Sequence, residues 1–196
     1  MRYTADVRRF ILIRHSTPIV RPELPAVTWH LSGVGLHRSE ELADVLADEF
    51  NVAAVWSSRE PKAVETAEVI ARKAGKPLDT DVRFGEQHRT NVPYLGSNEF
   101  RAAVAEALSN PNDLVYGTET IAAAARRFRA GLESLNQEAP DGDVAIISHG
   151  TVIAGFLASE IDVDPVEVWR SLGLPGFVVI EWPEPTEISE QRNFDA

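Results

Sequence analysis

The 196-residue chain contains no cysteine, which excludes disulfide bonds and thiol chemistry. No apolar run approaches the roughly 18 residues of a membrane span, and residues 1–9 are charged where a signal peptide would be apolar. We therefore expect a cytoplasmic, unexported protein. Basic residues are scarce: the chain has 19 Lys and Arg and 30 Asp and Glu, which gives a net charge of −11. This balance argues against nucleic-acid or membrane partners, and an anionic substrate would need a local positive pocket.

The composition is otherwise that of a globular protein. The chain is 44% hydrophobic and 25% charged, which is too apolar for disorder. Its length suits one domain with a full core, and we expect that domain over residues 1–182. From residue 183 the chain is acidic and contains prolines, so we expect a loose tail over 183–196.

Two apolar segments run directly into a histidine. Residues 10–13 are apolar and are followed by Arg14 and His15, and residues 144–147 lead to His149 in the same way. Short apolar runs are typical of buried strands in a parallel sheet. Such sheets bind ligands beyond the carboxyl ends of their strands, where both histidines would lie.

The rest of the chain alternates between strand and helix patterns. This alternation predicts an α/β fold, a three-layer α/β/α sandwich around a mostly parallel sheet. The direction of the last strand is left open because the connection before it is short. A proline-rich loop is expected over 17–28. We expect strands at 10–14, 53–58, 78–84, 144–147 and 177–182, and helices at 33–49, 61–74, 98–109, 119–136, 151–159 and 165–172.

More polar side chains follow the other predicted strands. Arg59 and Lys62 come after the second strand, and Glu86 lies in the loop after the third. We expect them to lie near His15 and His149, at the edge where parallel strands end. Taken singly, each of these residues also has an ordinary, non-functional explanation. A histidine at a strand end is often hydrogen-bonded to a carboxylate, and a charged residue at a helix start is often simply exposed to solvent.

Four short motifs occur in order along the chain. They are an Arg-His pair after an apolar strand at 11–16, Leu-Ser-x-x-Gly at 31–35, Ser-Ser-x-x-x-Lys-Ala-x-x-Thr-Ala at 57–67, and Ser-His-Gly at 148–150. With Glu86 placed between the third and fourth, the pattern resembles the histidine phosphatase superfamily, also called the phosphoglycerate mutase-like family. Two positions depart from the family pattern, since Ser16 replaces a glycine and Lys62 replaces the usual arginine.

The resemblance implies a metal-independent phosphomonoester hydrolase that uses a phosphohistidine and no cofactor. His15 would be the nucleophile, Arg14 would clamp phosphate oxygens, and His149 would donate to them as an imidazolium. Glu86 would protonate the leaving alcohol and then deprotonate the attacking water. For that role we expect the pKa of Glu86 to be raised by burial or by the phosphate charge.

The cation that completes the phosphate pocket is open to two interpretations. Lys62 falls on the family's arginine position. Arg59 has a planar guanidinium, but its side chain extends from a backbone position three residues earlier. We favour Lys62, and we include Ser16 among the phosphate-binding residues. The expected substrate is a small phosphorylated molecule.

Three alternatives remain. The departures at Ser16 and Lys62 allow a non-catalytic phosphate-binding or regulatory module of the same fold. Two His-x-Thr motifs, at 15–17 and 149–151, allow a two-histidine phosphodiesterase, although this would leave Arg14 and Glu86 without a role. A mutase would share the first half-reaction, and we favour a phosphatase because the chain is short for a mutase of this family.

Overall fold

The computed structural model describes residues 7–90 and 92–194, which contain the five predicted strands, a sixth strand that was not predicted, and the six predicted α-helices. The expectations for 1–6 and 195–196 lie outside the described residues. The strands are β1 (Arg8–Arg14), β2 (Val52–Ser57), β3 (Leu78–Thr80), β4 (Asp143–Ser148), β5 (Gly176–Trp182) and β6 (Glu190–Asn193). The helices are α1 (Gly33–Glu49), α2 (Pro61–Ala74), α3 (Ser97–Ser109), α4 (Ile121–Glu138), α5 (Gly150–Glu160) and α6 (Pro165–Ser171).

The strands form one mixed sheet in the order β3-β2-β4-β1-β5-β6. The pairs β3-β2, β2-β4 and β4-β1 are parallel, whereas β5 is antiparallel to β1 and β6 is antiparallel to β5. This settles the direction of β5. In the register of the central pair Arg14 lies opposite Ser148, so β1 and β4 end side by side.

Alternate side chains of β1 enter two separate hydrophobic clusters. Phe10 and Leu12 pack into the cluster that contains the apolar faces of α3, α4, α5 and α6. Ile11 and Ile13 pack into the cluster formed with α1 and α2. Both sheet faces are therefore covered, as expected when successive side chains of a strand point to opposite sides. The predicted three-layer α/β/α sandwich is confirmed.

Local chemistry accounts for the helix ends next to the strand ends. The Ser32 hydroxyl accepts a hydrogen bond from Gly35 N and begins α1. Pro61 occupies the first turn of α2, which ends at Gly75 with a left-handed φ of 62°. Within the described residues no helix is long and apolar enough to cross a membrane.

Two expectations about the chain path are corrected. The strand expected over 78–84 is shorter, because Val82–Phe84 forms a 3₁₀ helix in which the Asp81 side chain accepts a hydrogen bond from Arg83 N. The segment after 182, expected to be loose, contributes β6 to the sheet. It is ordered because β5 offers an unpaired edge and because Phe194 stacks on Phe177 at 6.3 Å.

Candidate active site

The carboxyl ends of β1, β2 and β4 meet at one point of the sheet edge. His15 N donates to Ser148 O at 3.0 Å, and Ser58 N donates to Ile147 O at 2.9 Å. These bonds hold the residues that follow the strands beside one another. The rings of His15 and His149 consequently lie 5.1 Å apart between centroids, at an interplanar angle of 65°. The predicted convergence of the two histidines is present in the structure.

The imidazole of His15 is held as a neutral base. The side chain is buried, and its Nδ1 lies 2.8 Å from Ser16 O. Since a carbonyl oxygen only accepts, Nδ1 carries the proton and Nε2 keeps its lone pair. Burial, followed by the neighbouring His149 and Lys62, lowers the pKa of His15 well below the ordinary value of 6.5. Nε2 is therefore available as a nucleophile at neutral pH.

His149 is also neutral, which corrects the expected imidazolium. Its Nε2 lies 2.9 Å from Ser58 Oγ and 3.2 Å from Glu60 Oε1, while its buried Nδ1 has no hydrogen-bond partner in the described part of the chain. Burial, followed by the charge of Lys62, lowers the pKa of His149 to about 3. A neutral His149 still has one N–H to donate, but it adds no positive charge to the site.

The Glu86 carboxylate lies at the N-terminus of α5. Its Oε1 accepts from Gln87 N at 2.9 Å and from Val152 N at 3.0 Å, and its Oε2 lies 3.4 Å from Thr151 N. The first turn of a helix presents N–H groups without helical partners, which favour an anion. Glu86 thus lies near His149, as the sequence predicts, and it also bonds to α5, which the sequence did not predict.

Burial does not raise the pKa of Glu86 as expected, whereas the expected effect of a bound phosphate stays a prediction. Burial of the carboxyl acts to raise its pKa, but the charge of Arg89, the neighbouring His149 and the hydrogen bonds from Gln87 and Thr151 outweigh burial and lower it to about 2. Arg89 Nη2 is 3.8 Å from Glu86 Oε2 and donates to Thr151 Oγ1 at 2.6 Å. Glu86 is therefore ionised in this structure at neutral pH.

Arg14 lies between α5 and α6. Its Nη1 donates to Leu172 O at 2.6 Å, and its guanidinium carbon lies 6.0 Å from the ring centroid of Trp169. A Cβ at Gly150 would lie only 2.9 Å from Arg14 Nε. The glycine of the Ser-His-Gly motif therefore leaves room for the guanidinium. The charge of Arg14 also lowers the pKa values of His15 and His149, which places it at the same centre.

Lys62 lies inside the site, and Arg59 lies outside it. The Lys62 ammonium is buried, donates to Ala26 O at 2.8 Å and pairs with the Glu60 carboxylate. The Arg59 side chain is exposed, and its charge contributes to lowering the pKa of Asp81. This arrangement is the one expected if Lys62, not Arg59, completes the phosphate pocket.

The family model of the histidine phosphatase superfamily (branch 1) matches residues 10–192. The chain belongs to the histidine phosphatase superfamily. The resemblance noted in the sequence is confirmed. The curated relative Phosphoglycerate mutase-like protein 4 of Arabidopsis thaliana is 26% identical over 158 residues, which is 76% of this chain and 69% of the relative.

Solved histidine phosphatase structures share the fold. A mycobacterial glucosyl-3-phosphoglycerate phosphatase is 21% identical, covers 88% of this chain and 90% of its own, and has a TM-score of 0.69. A phosphoserine phosphatase from Entamoeba histolytica, complexed with phosphoserine, is 18% identical, covers 94% and 96%, and has a TM-score of 0.70. At these identities the likeness concerns the fold alone.

The assignment of Ser16 to phosphate binding does not agree with its position in this histidine phosphatase. The Ser16 hydroxyl donates to Gly35 O at 2.7 Å, and Ser16 N donates to Thr66 Oγ1 at 3.0 Å. The segment packs tightly on α1, because a Cβ at Gly35 would lie 2.2 Å from Thr17 O. Ser16 therefore ties β1 to α1 and α2 and does not offer its hydroxyl to the pocket.

Glu60 and Arg89 belong to the site but were not predicted from the sequence. Glu60 occupies one of the unspecified positions in the 57–67 motif, so the pattern contained no signal for it. Its carboxylate reaches both Lys62 and His149. The signal for Arg89 was its spacing of three residues after Glu86, and its guanidinium also lies 5.3 Å from the ring centroid of Phe100.

The part of the chain that the structure describes contains no cluster of metal-ligating side chains. Among residues 7–90 and 92–194 no group of three or more His, Asp or Glu side chains is arranged to hold a metal ion. The charged and hydrogen-bonding groups at this edge of the sheet are therefore the imidazoles, the Arg14 and Arg89 guanidinium groups, the Lys62 ammonium and the carboxylates.

Proposed function

We propose that this histidine phosphatase hydrolyses small phosphate monoesters through a phosphohistidine on His15, without a metal ion. The observation that carries the proposal is the state of His15. Its Nδ1 proton is directed to Ser16 O, and its Nε2 lone pair lies in a buried site beside His149 and two cations. This geometry suits attack on phosphorus, because a neutral imidazole is already deprotonated at the attacking atom.

In the first step Nε2 of His15 attacks phosphorus and the bond to the alcohol oxygen breaks. Negative charge is spread over the phosphoryl oxygens, where Arg14, Lys62 and the N–H of His149 donate to it. A guanidinium can bind two oxygens at once, whereas an ammonium acts as a compact charge. Fixed donors of this kind lower the barrier by stabilising charge as it develops.

Glu86 is the proposed proton carrier for both steps. Its carboxylate is ionised in this structure, with a pKa lowered to about 2. A bound phosphoryl dianion would raise that pKa, because like charges at short range disfavour ionisation. Glu86 would then take up a proton, give it to the departing alcohol, and remove one from the water that attacks the phosphohistidine.

We favour a small phosphorylated metabolite as substrate and water as the second acceptor. The two solved structures named above carry the names of phosphatases for a glucosyl phosphoglycerate and for phosphoserine, which supports this substrate class. Because one relative is named phosphoglycerate mutase-like, the alternative for the second step is transfer of the phosphoryl group to a second phosphorylated molecule. Hydrolysis and mutase transfer share the same first step on His15.

The test is release of inorganic phosphate from a chromogenic aryl monoester in the presence of a chelator. We expect turnover by the wild type, none by His15→Ala, and no gain when divalent ions are added. A panel of phosphorylated metabolites then identifies the substrate class, and assays with and without a phosphorylated acceptor separate phosphatase from mutase.

Three results would contradict the proposal. Activity that is lost in chelator and restored by a divalent ion would make the reaction metal-dependent. Phosphodiester cleavage without monoester cleavage would favour the two-histidine phosphodiesterase. Tight phosphate binding without any turnover would favour the non-catalytic module.

A further inference from the structure

The side chain of Glu60 lies among the groups proposed to bind phosphate. One carboxylate oxygen pairs with the Lys62 ammonium. The other lies 3.2 Å from His149 Nε2 and 3.2 Å from Glu86 N, which donates to it. The Lys62 and Glu60 side chains are only 7% and 14% exposed. An anion therefore already pairs with Lys62 and lies 3.2 Å from His149 Nε2.

The Glu60 side chain is directed away from its own helix. Glu60 is the residue immediately before α2, yet its side chain accepts no capping hydrogen bond from the described helix. The free N–H groups at a helix N-terminus favour a nearby carboxylate. Instead the Glu60 backbone N–H donates to Ser58 Oγ at 3.2 Å, and the carboxylate extends toward Lys62 and His149.

We propose that Glu60 is an internal anion of the phosphate pocket, which the phosphoryl group displaces on binding and which helps to expel inorganic phosphate when it returns. A phosphoryl group and a carboxylate cannot share the same donors, because both are anions that need Lys62 and His149. The inference extends the proposed function, on which it rests for the identity of the pocket.

The affinity for phosphate depends on how often the Glu60 side chain leaves Lys62 and His149. When only a fraction of molecules has Glu60 displaced, the apparent dissociation constant of phosphate rises by the inverse of that fraction. The same competition acts on product, so the wild type binds inorganic phosphate weakly and releases it readily. Removing the carboxylate charge should reverse both effects.

The test compares Glu60→Gln with a matched control, Glu65→Gln. Glu65 lies on α2 and bonds to His30 and to Leu31 N, so its removal leaves the pocket contacts in place. Binding of inorganic phosphate is measured by calorimetry, which requires no turnover. We expect Glu60→Gln to bind phosphate about 10- to 100-fold more tightly than the wild type. Glu65→Gln should bind phosphate like the wild type.

Kinetics give a second measurement on the same variants. With an aryl monoester, Glu60→Gln should show a lower KM and stronger product inhibition by phosphate. Glu60→Ala should change phosphate affinity in the same direction, and thermal unfolding checks that all variants fold.

Equal or weaker phosphate binding by a folded Glu60→Gln would overturn the inference, as would failure of phosphate to bind either protein. A lower kcat on poor leaving groups with unchanged phosphate affinity would likewise overturn it and make Glu60 a proton donor instead. If phosphate binding changes as expected but no protein turns over a monoester, the proposed hydrolysis fails and the role of Glu60 as an internal anion stands.

Discussion

Replacement of Lys62 by alanine, with Arg59→Ala as the control, tests which cation completes the phosphate pocket. Lys62 is buried and its charge lowers the pKa values of both His15 and His149. Arg59 is exposed and acts on Asp81. The two variants remove one positive charge each, from positions three residues apart, but only one of them changes the electrostatics of the two histidines.

The expected loss follows from the function of a charge-stabilising donor. Removing one such donor typically costs about 10- to 1000-fold in turnover, or about 1.4 to 4 kcal/mol. We therefore expect this loss for Lys62→Ala and less than about a threefold change for Arg59→Ala. Lys62→Arg should keep or raise activity, because it restores the charge on a side chain of similar length.

The assay is steady-state hydrolysis of a monoester, combined with NMR titration of the histidines. Because the Lys62 charge lowers the pKa of His15, Lys62→Ala should raise that pKa, and Arg59→Ala should leave it unchanged. Denaturant unfolding is needed as a control, because Lys62→Ala leaves Glu60 without its ammonium partner in a buried site. A nearly inactive Arg59→Ala beside a fully active Lys62→Ala would refute the reasoning.

Three further predictions concern the groups around the histidines. Glu86→Gln should slow hydrolysis of an alkyl monoester far more than hydrolysis of an activated aryl ester, because only the poor leaving group needs a proton in the transition state. Equal losses of rate on both esters would show that another residue is the general acid. Lowering the pH from 6.5 to 4.5 should destabilise the wild type more than His149→Gln. In the unfolded chain His149 gains a proton below about pH 6.5, whereas in the folded protein its pKa is about 3. The free energy of unfolding is therefore highest above pH 6.5 and falls by up to about 1.4 kcal/mol per pH unit on acidification. Parallel denaturation curves for both proteins would contradict this. Gly150→Ala should lower kcat/KM by about 10- to 100-fold with the fold intact by circular dichroism, since its Cβ would lie 2.9 Å from Arg14 Nε; wild-type activity would show that Arg14 can move without loss.

The sheet and the convergence of the histidines follow from patterns that a sequence displays. Residues 10–13 and 144–147 are apolar runs that end in histidine, and neighbouring parallel strands end at one edge. The helices are recognisable because their apolar residues recur at helical spacing. These features depend on local chemistry and on rules of topology, so they were predictable without coordinates.

The parts that sequence patterns did not predict depend on contacts between distant segments. The pKa of Glu86 is lowered because its carboxylate meets the first turn of α5 and Arg89, and the sequence does not show that geometry. Ser16 occupies a motif position, but its hydroxyl bonds to Gly35. Strand β6 pairs with β5 despite an acidic composition that resembles a tail.

The most direct test of the account is to trap the phosphoryl group on the enzyme. Rapid quench with labelled monoester should yield one adduct per chain that is labile in acid and stable in base, and mass spectrometry should place it on His15. His15→Ala should form no adduct and release no phosphate. An adduct with the opposite stability, or one that persists in His15→Ala, would contradict the account by identifying a different nucleophile.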